Sequence, residues 1–248
     1  VLKGGLLLAQ FGARRMTRDI DILGLRFPGE RDEIVRRITA IASLEIDDGV
    51  VFEGQSIKTV PIREDDEYHG LRLAMAATIA RARLKLQLDV SFGDPITPGP
   101  EPIAYQQQLS NETFQLLGYP IVTVIAEKLT TALSLGAFNT RDRDYADLYR
   151  LFTLHEFDSK GVASALDATA AHRGIRLQRL SPLLLPDYSE RRQSSYAAWR
   201  RRQGPVATVY PERFGTVVEV VTAFADPLLD GSGSVPGRTW SPETRAWG

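Results

Sequence analysis

In RRMTRDIDIL, residues 14–23, two aspartates stand on either side of one isoleucine. Side chains alternate with period two along a strand, so Asp19 and Asp21 project to the same face of an Ile-Ile-Leu run. A third acid, Asp89, sits on the polar side of a second strand candidate, RARLKLQLDV, where Leu84, Leu86, Leu88 and Val90 alternate with Lys85, Gln87 and Asp89. If the two strands are neighbours, the three carboxylates make an oxygen-only site for a divalent cation. Mg2+ suits such a site, because it takes few carboxylates and completes its shell with water and substrate phosphate; Mn2+ is the alternative. Acids on a solvated strand face would show the same spacing, so D-x-D alone does not decide.

Lys3-Gly4-Gly5 adds to the pattern, ending the strand candidate VLKGG and opening a short helix candidate, LLLAQFG. Glycines at such a junction let phosphate oxygens reach backbone N–H groups at a positive helix end, although a plain tight turn uses them equally well.

These residues need a scaffold, and the first third of the chain reads as α/β. After DIDIL, a loop through Phe27-Pro28-Gly29 leads to a helix over residues 30–43, with Ile34, Ile38 and Ile41 forming its apolar stripe. Short strands VVFEG and SIKTVPI, a polar turn REDDEYHG, and the segments LRLAMAATIA and RARLKLQLDV follow, read as antiparallel strands closing onto one apolar face. PITPGPEPIAY is Pro-rich and reads as a linker or surface loop. From Pro120 helices dominate. IVTVIAEKLTTALSLG turns Ile125, Leu129, Ala132 and Leu133 to one face and stops at Gly136. RDYADLYRLFTL follows Asn139-Thr140, both capping types, with Tyr145, Leu148, Leu151 and Phe152 inward. Further helices are expected near 159–172, 187–203 and 211–226, and the Gly/Ser/Pro-rich tail from 229 to 248 is expected to be disordered.

The 248 residues, 43% hydrophobic and 25% charged, suffice for one large or two modest domains. A net charge of −1 neither favours nor excludes a nucleic-acid partner. Cysteine is absent, which excludes disulfides and thiolate metal sites and fits a reducing compartment. Uninterrupted apolar runs fall far short of the roughly 20 residues of a membrane helix, and a cytoplasmic location is expected. Val1 falls inside a strand candidate, so an earlier natural start is expected.

With the Lys-Gly-Gly turn followed by Arg15-Met16-Thr17-Arg18-Asp19-Ile20-Asp21, the sequence resembles polymerase-β-type nucleotidyltransferases. More closely it resembles the AbiEii/AbiGii-type (MenT-like) toxins of abortive-infection and toxin–antitoxin systems. LDVSFGD around Asp89, IAEKL, and RDRDYADLYRL fit the same pattern, which spans about residues 1–155 and extends loosely over AAWRRRQ and PERFGTVVEVV. The resemblance implies an α+β fold: a nucleotidyltransferase-type mixed sheet with flanking helices over 1–118, then a helical domain over 119–228. It implies that an NTP is the substrate, with Asp19, Asp21 and Asp89 on Mg2+ and Lys3, Gly4, Gly5, Arg15 and Thr17 on the nucleotide. It also places Lys128 and Asp144 in the active site, Lys128 against phosphate charge and Asp144 orienting either Lys128 or the base, with Asp147 structural. Relatives often carry Ser or Thr directly after the Gly pair; Leu6 stands here, removing a hydroxyl contact.

The implied reaction is transfer of a nucleotide to an acceptor hydroxyl, in this family including the 3′ end of tRNA, with a separately encoded antitoxin as partner. Phosphate contacts from tRNA would fall on Arg14, Arg15 and Arg18, on Arg141 and Arg143, or on Arg191, Arg192, Arg200, Arg201 and Arg202 with Tyr196 and Trp199 interleaved. An amphipathic helix carries such charges on its solvated face without any RNA. Three readings compete: a D-x-D glycosyltransferase, transfer to a protein hydroxyl, and a nucleotide-binding module without transfer activity.

Overall fold

The structure, a computed structural model, describes residues 1–26, 29–64, 67–107, 110–229, 235 and 237–248, with the side chains of 63–69 excepted. The expected loop at Phe27-Pro28, the middle of REDDEYHG and part of the tail lie outside these residues. The chain divides into two compact units, residues 1–7 with 17–94 and residues 8–16 with 95–248.

In the first unit, β1 (Leu2–Lys3), β2 (Ile20–Gly24), β3 (Val50–Glu64), β4 (Glu67–Ile79) and β5 (Ala82–Phe92) lie in the order β3-β4-β5-β2-β1. Only the β2–β5 pair among them is parallel, so the sheet is mixed. VVFEG and SIKTVPI join into the one long β3, whose register shifts between Glu53 and Lys58. A two-residue turn, Ala80–Arg81, links β4 to β5 and sets their register. Helix α2 (Arg31–Ala42) covers one face of the sheet: Ile34, Leu71, Leu73 and Val90 form the core, with Ile22, Val35, Ile38, Leu88 and Phe92 against it. Ile41 is 62% exposed rather than part of the stripe, and Leu84 is 48% exposed, because the hairpin end of β4–β5 runs beyond the core that α2 covers.

Helix α1 (Gly4–Leu8) carries the chain into the second unit, where a 3-10 turn over Ala9–Phe11 ends at Gly12 in the left-handed region, φ 68°. The proline-rich stretch is not all linker: from Glu101 it forms β6 (Glu101–Gln106), paired antiparallel with β7 (Thr113–Gly118). This hairpin belongs to the second unit, which resumes at Pro95. Helices α3 (Ile121–Leu135), α4 (Asp142–Leu154), α5 (Ser159–His172), α6 (Tyr188–Arg202) and α7 (Phe214–Leu229) follow as the periodicity predicts. Tyr145, Leu148, Leu151 and Phe152 are all fully buried, and Phe152 stacks on Phe224 at 3.6 Å.

The tail is corrected in its described part. β9 (Thr239–Ser241) joins β8 (Phe157–Asp158) and β10 (Ala246–Trp247) in a small antiparallel sheet. Trp240 is fully buried, its indole N–H donating to the Phe152 carbonyl at 2.7 Å. Removing so large an aromatic surface from water offsets the ordering of a Gly- and Ser-rich segment. The stretch Ile121–Phe138 is by length and composition alone long and apolar enough to cross a membrane, but Glu127 and Lys128 interrupt it, and Ile125, Leu129 and Leu133 are buried within the protein.

Candidate active site

In the first unit, strand register builds the site. Lys3 lies opposite Asp21 across β1–β2, Asp21 opposite Asp89 across the parallel β2–β5 pair, and Asp89 opposite Arg72 across β4–β5. One row across four strands therefore reads cation, acid, acid, cation. Asp19, just before β2, completes an acidic group: ligand oxygens of Asp19, Asp21 and Asp89 all lie within 4.8 Å of one another. A single ion with oxygen bonds of roughly 2.1 Å holds its ligand oxygens within about 4.2 Å of one another, so small side-chain rotations would close this group onto it.

Each acid is positioned by a local contact. Thr17 Oγ1 donates to Asp19 Oδ1 at 2.8 Å. Arg72 forks onto Asp89, Nε to Oδ1 at 2.8 Å and Nη2 to Oδ2 at 2.6 Å. Asp21 accepts from the Gly5 N–H. Gly4, at φ 68°, leaves room for Asp21, since a Cβ there would collide with the carboxylate. In this structure the glycine pair therefore seats an acid. Lys3 bonds Asp94 at 2.8 Å, which also accepts from Ser91 Oγ at 2.8 Å.

Burial raises the Asp21 carboxyl above its ordinary range, and the nearby Asp19 and Asp89 raise it further; Lys3 and the Gly5 N–H pull the other way without prevailing. Like charges gathered without enough compensation are what a bound cation would relieve. The donor set fits Mg2+: hard oxygens only, few in number, and half-buried so that water and phosphate can complete the shell.

The second unit holds a different charge cluster. Lys128 on α3 donates to Asp144 Oδ1 at 2.7 Å and Asp147 Oδ2 at 2.8 Å, both on α4. Arg15 Nε donates to Asp147 Oδ1 at 2.8 Å, and Arg141 pairs with Asp144 at 3.1 Å. Burial alone would lower the Lys128 ammonium pKa, but Asp144 and Asp147 outweigh it and hold it above its usual value. Burial would likewise raise Asp144, but Lys128 and Arg141 hold it low.

The predicted site residues thus fall into two groups. Lys3, Gly4, Gly5, Thr17, Asp19, Asp21 and Asp89 belong to the first unit, with Arg18 exposed nearby in sequence; Arg15, Lys128, Asp144 and Asp147 belong to the second. Arg15 is committed to Asp147 and mostly buried. Among the helix α6 arginines, Arg192 forks onto Asp142 and Arg200 donates to the Tyr210 carbonyl, while Arg201 and Arg202 are exposed, as is Arg14 in the 8–16 segment. Arg72 was not singled out from the sequence. The signal was present: counting back from a two-residue turn at Ala80–Arg81 sets Arg72 opposite Asp89.

A model of the family described as nucleotidyl transferase AbiEii toxin, type IV toxin–antitoxin system, matches residues 1–220. The fold resembles the crystal structure of JHP933 from Helicobacter pylori, with a TM-score of 0.54 and 16% identity over 94% of this chain and 86% of that one. It also resembles the crystal structure of a protein from the same organism assigned as a nucleotidyltransferase, with a TM-score of 0.51 and 16% identity over 90% and 85% of the two chains. No curated protein sequence matches significantly. The acidic row, the mixed sheet with flanking helices and the match across most of the length agree: the chain belongs to the AbiEii family of nucleotidyltransferase toxins, enzymes that use NTPs and are paired with a separate antitoxin.

Proposed function

We propose that the protein transfers a nucleoside monophosphate from a Mg2+-bound NTP to an acceptor hydroxyl at the 3′ end of tRNA, releasing pyrophosphate. The observation that carries the reading is the convergence of Asp19, Asp21 and Asp89 in register on adjacent strands, within 4.8 Å. Those three residues would hold the metal, which when bound supplies positive charge to the triphosphate and lowers the pKa of the attacking hydroxyl. Thr17 fixes the Asp19 carboxylate and Gly4 admits that of Asp21, so the acids are pre-oriented before substrate arrives. Arg72 neutralises Asp89 in the meantime and must yield at least one carboxylate oxygen when Asp89 takes up a ligand role. Lys3, Gly4 and Gly5 are assigned to the nucleotide phosphates. Lys128 and Asp144, kept charged by each other, are assigned to catalysis on the family pattern.

Incubating the protein with total tRNA, Mg2+ and each labelled NTP tests this. Label in RNA that is lost in Asp21→Asn supports it. Label in protein instead would select transfer to a protein hydroxyl, and NTP binding with no label anywhere would leave a binding module without transfer.

A further inference from the structure

The second unit contains a cleft of about 260 Å3 between the start of α4 and the face of α6, lined by Arg141, Asp142, Arg143, Ser195, Trp199 and Arg202. The seam beside it is tightly made. Arg192 forks onto Asp142 with two bonds of 2.8 Å, and its Nη2 also donates to the Thr140 carbonyl at 3.1 Å. Ser195 Oγ adds a bond to Asp142 Oδ2 at 2.5 Å. Asp142 is therefore already neutralised within the protein, and it does not cancel the remaining arginines.

Arg141 divides its charge with Asp144, but Arg143 and Arg202 are exposed and make no ion pair among the described residues. In a chain of net charge −1 this is a local positive surplus. Trp199 adds an aromatic wall that neighbouring rings hold in place: Tyr196 stacks beside it at 5.9 Å and Tyr210 meets it edge-on at 4.9 Å. The cleft is smaller than the roughly 300–1,000 Å3 of pockets that enclose a small molecule. It suits one base and its flanking phosphates from a longer strand, with a ring to stack on and guanidinium groups for the backbone.

We infer that this cleft binds an unpaired stretch of RNA, Trp199 stacking a base and Arg143 and Arg202 contacting phosphates. The inference deepens the acceptor reading above and rests on it for the choice of RNA. Asp144, shared between Arg141 and Lys128, connects the cleft wall to the residues assigned to catalysis.

The test uses the full chain and a fluorescein-labelled single-stranded oligoribonucleotide of mixed sequence, followed by anisotropy without NTP or metal across a salt series. Arg143→Glu combined with Arg202→Glu is expected to weaken binding by at least about tenfold and to lower the slope of log affinity against log salt by about 1.4, two single-strand phosphate contacts. Trp199→Leu is expected to weaken binding about fivefold or more by loss of stacking, with Trp199→Phe retaining most of it. The double arginine variant decides the matter if Trp199 variants unfold. Wild-type affinity in that double variant overturns the inference. So does equal binding of the duplexed oligonucleotide, or displacement of the strand by free NTP. Because no NTP is present, failure here with RNA labelling intact removes only the cleft, whereas binding here without RNA labelling removes only the acceptor reading.

Discussion

The two charge clusters of this protein are built from the same residue types and behave in opposite ways. In the second unit Lys128, Arg15, Asp144 and Asp147 interlock until each charge has a partner, and Asp147 has no exposed surface at all. In the first unit Asp19, Asp21 and Asp89 crowd together with too little positive charge, and burial, with Asp19 and Asp89 adding to it, raises the Asp21 carboxyl above its ordinary value. A compensated buried network holds helices α3 and α4 in one arrangement. An undercompensated, half-open one holds repulsion that an incoming cation, or a proton on Asp21, relieves. The contrast separates a cluster that satisfies its own charges from one that needs a ligand more sharply than charge content does.

The largest effect should come from removing a ligand charge: Asp21→Asn is expected to lower nucleotide transfer by about 10^3-fold or more, the scale of charge stabilisation in phosphoryl transfer, while circular dichroism stays unchanged. Breaking the compensated cluster should instead damage the fold. Asp147→Ala strands the buried Arg15 and leaves Lys128 with Asp144 alone, and chemical denaturation should show a loss of about 3–5 kcal/mol. Unchanged stability there would erase the distinction between the clusters.

A smaller effect is expected from Arg72→Gln. Arg72 is 47% exposed, so its pair with Asp89 contributes only about 0.2–1 kcal/mol. Freeing Asp89 should tighten Mn2+ binding, measured by calorimetry, by up to about fivefold; weaker binding would mean Arg72 orients the ligand instead of competing for it. The smallest effect concerns pH. An acid with a raised folded pKa favours the fold below its unfolded pKa and loses that contribution as pH rises through the folded value. At neutral pH without metal, Asp21 therefore opposes folding, and Asp21→Asn should raise Tm, a gain that fades on acidification. Asp144 has the opposite sign: its lowered pKa gives stability above the unfolded value that disappears as pH falls through the folded one.

Much of this arrangement was legible because periodicity reports burial directly. The stripe Tyr145, Leu148, Leu151 and Phe152 is buried throughout, and Leu88 and Val90 on either side of Asp89 meet the core. Legibility failed where an element outran its cover, as at Ile41 and Leu84. It failed again where one aromatic outweighed the composition of its segment, as at Trp240. Proline content concealed β6, whose single partner is β7, so a missing N–H on its other side costs nothing within that pair. The spacing of Asp19 and Asp21 shows a shared face, but the sequence offers the glycine pair only as a phosphate cradle or a tight turn, because the close approach of Asp21 to Gly4 depends on the β1–β2 pairing.

The two-residue turn at Ala80–Arg81 has a reach well beyond its size. Adding one residue to that loop would slide β4 by a single step against β5, and the guanidinium now facing Asp89 would point through the opposite side of the sheet. The same step would turn Leu71 and Leu73 out of the core, so the length of a loop some distance from the acids is fixed by packing and holds the third carboxylate guarded.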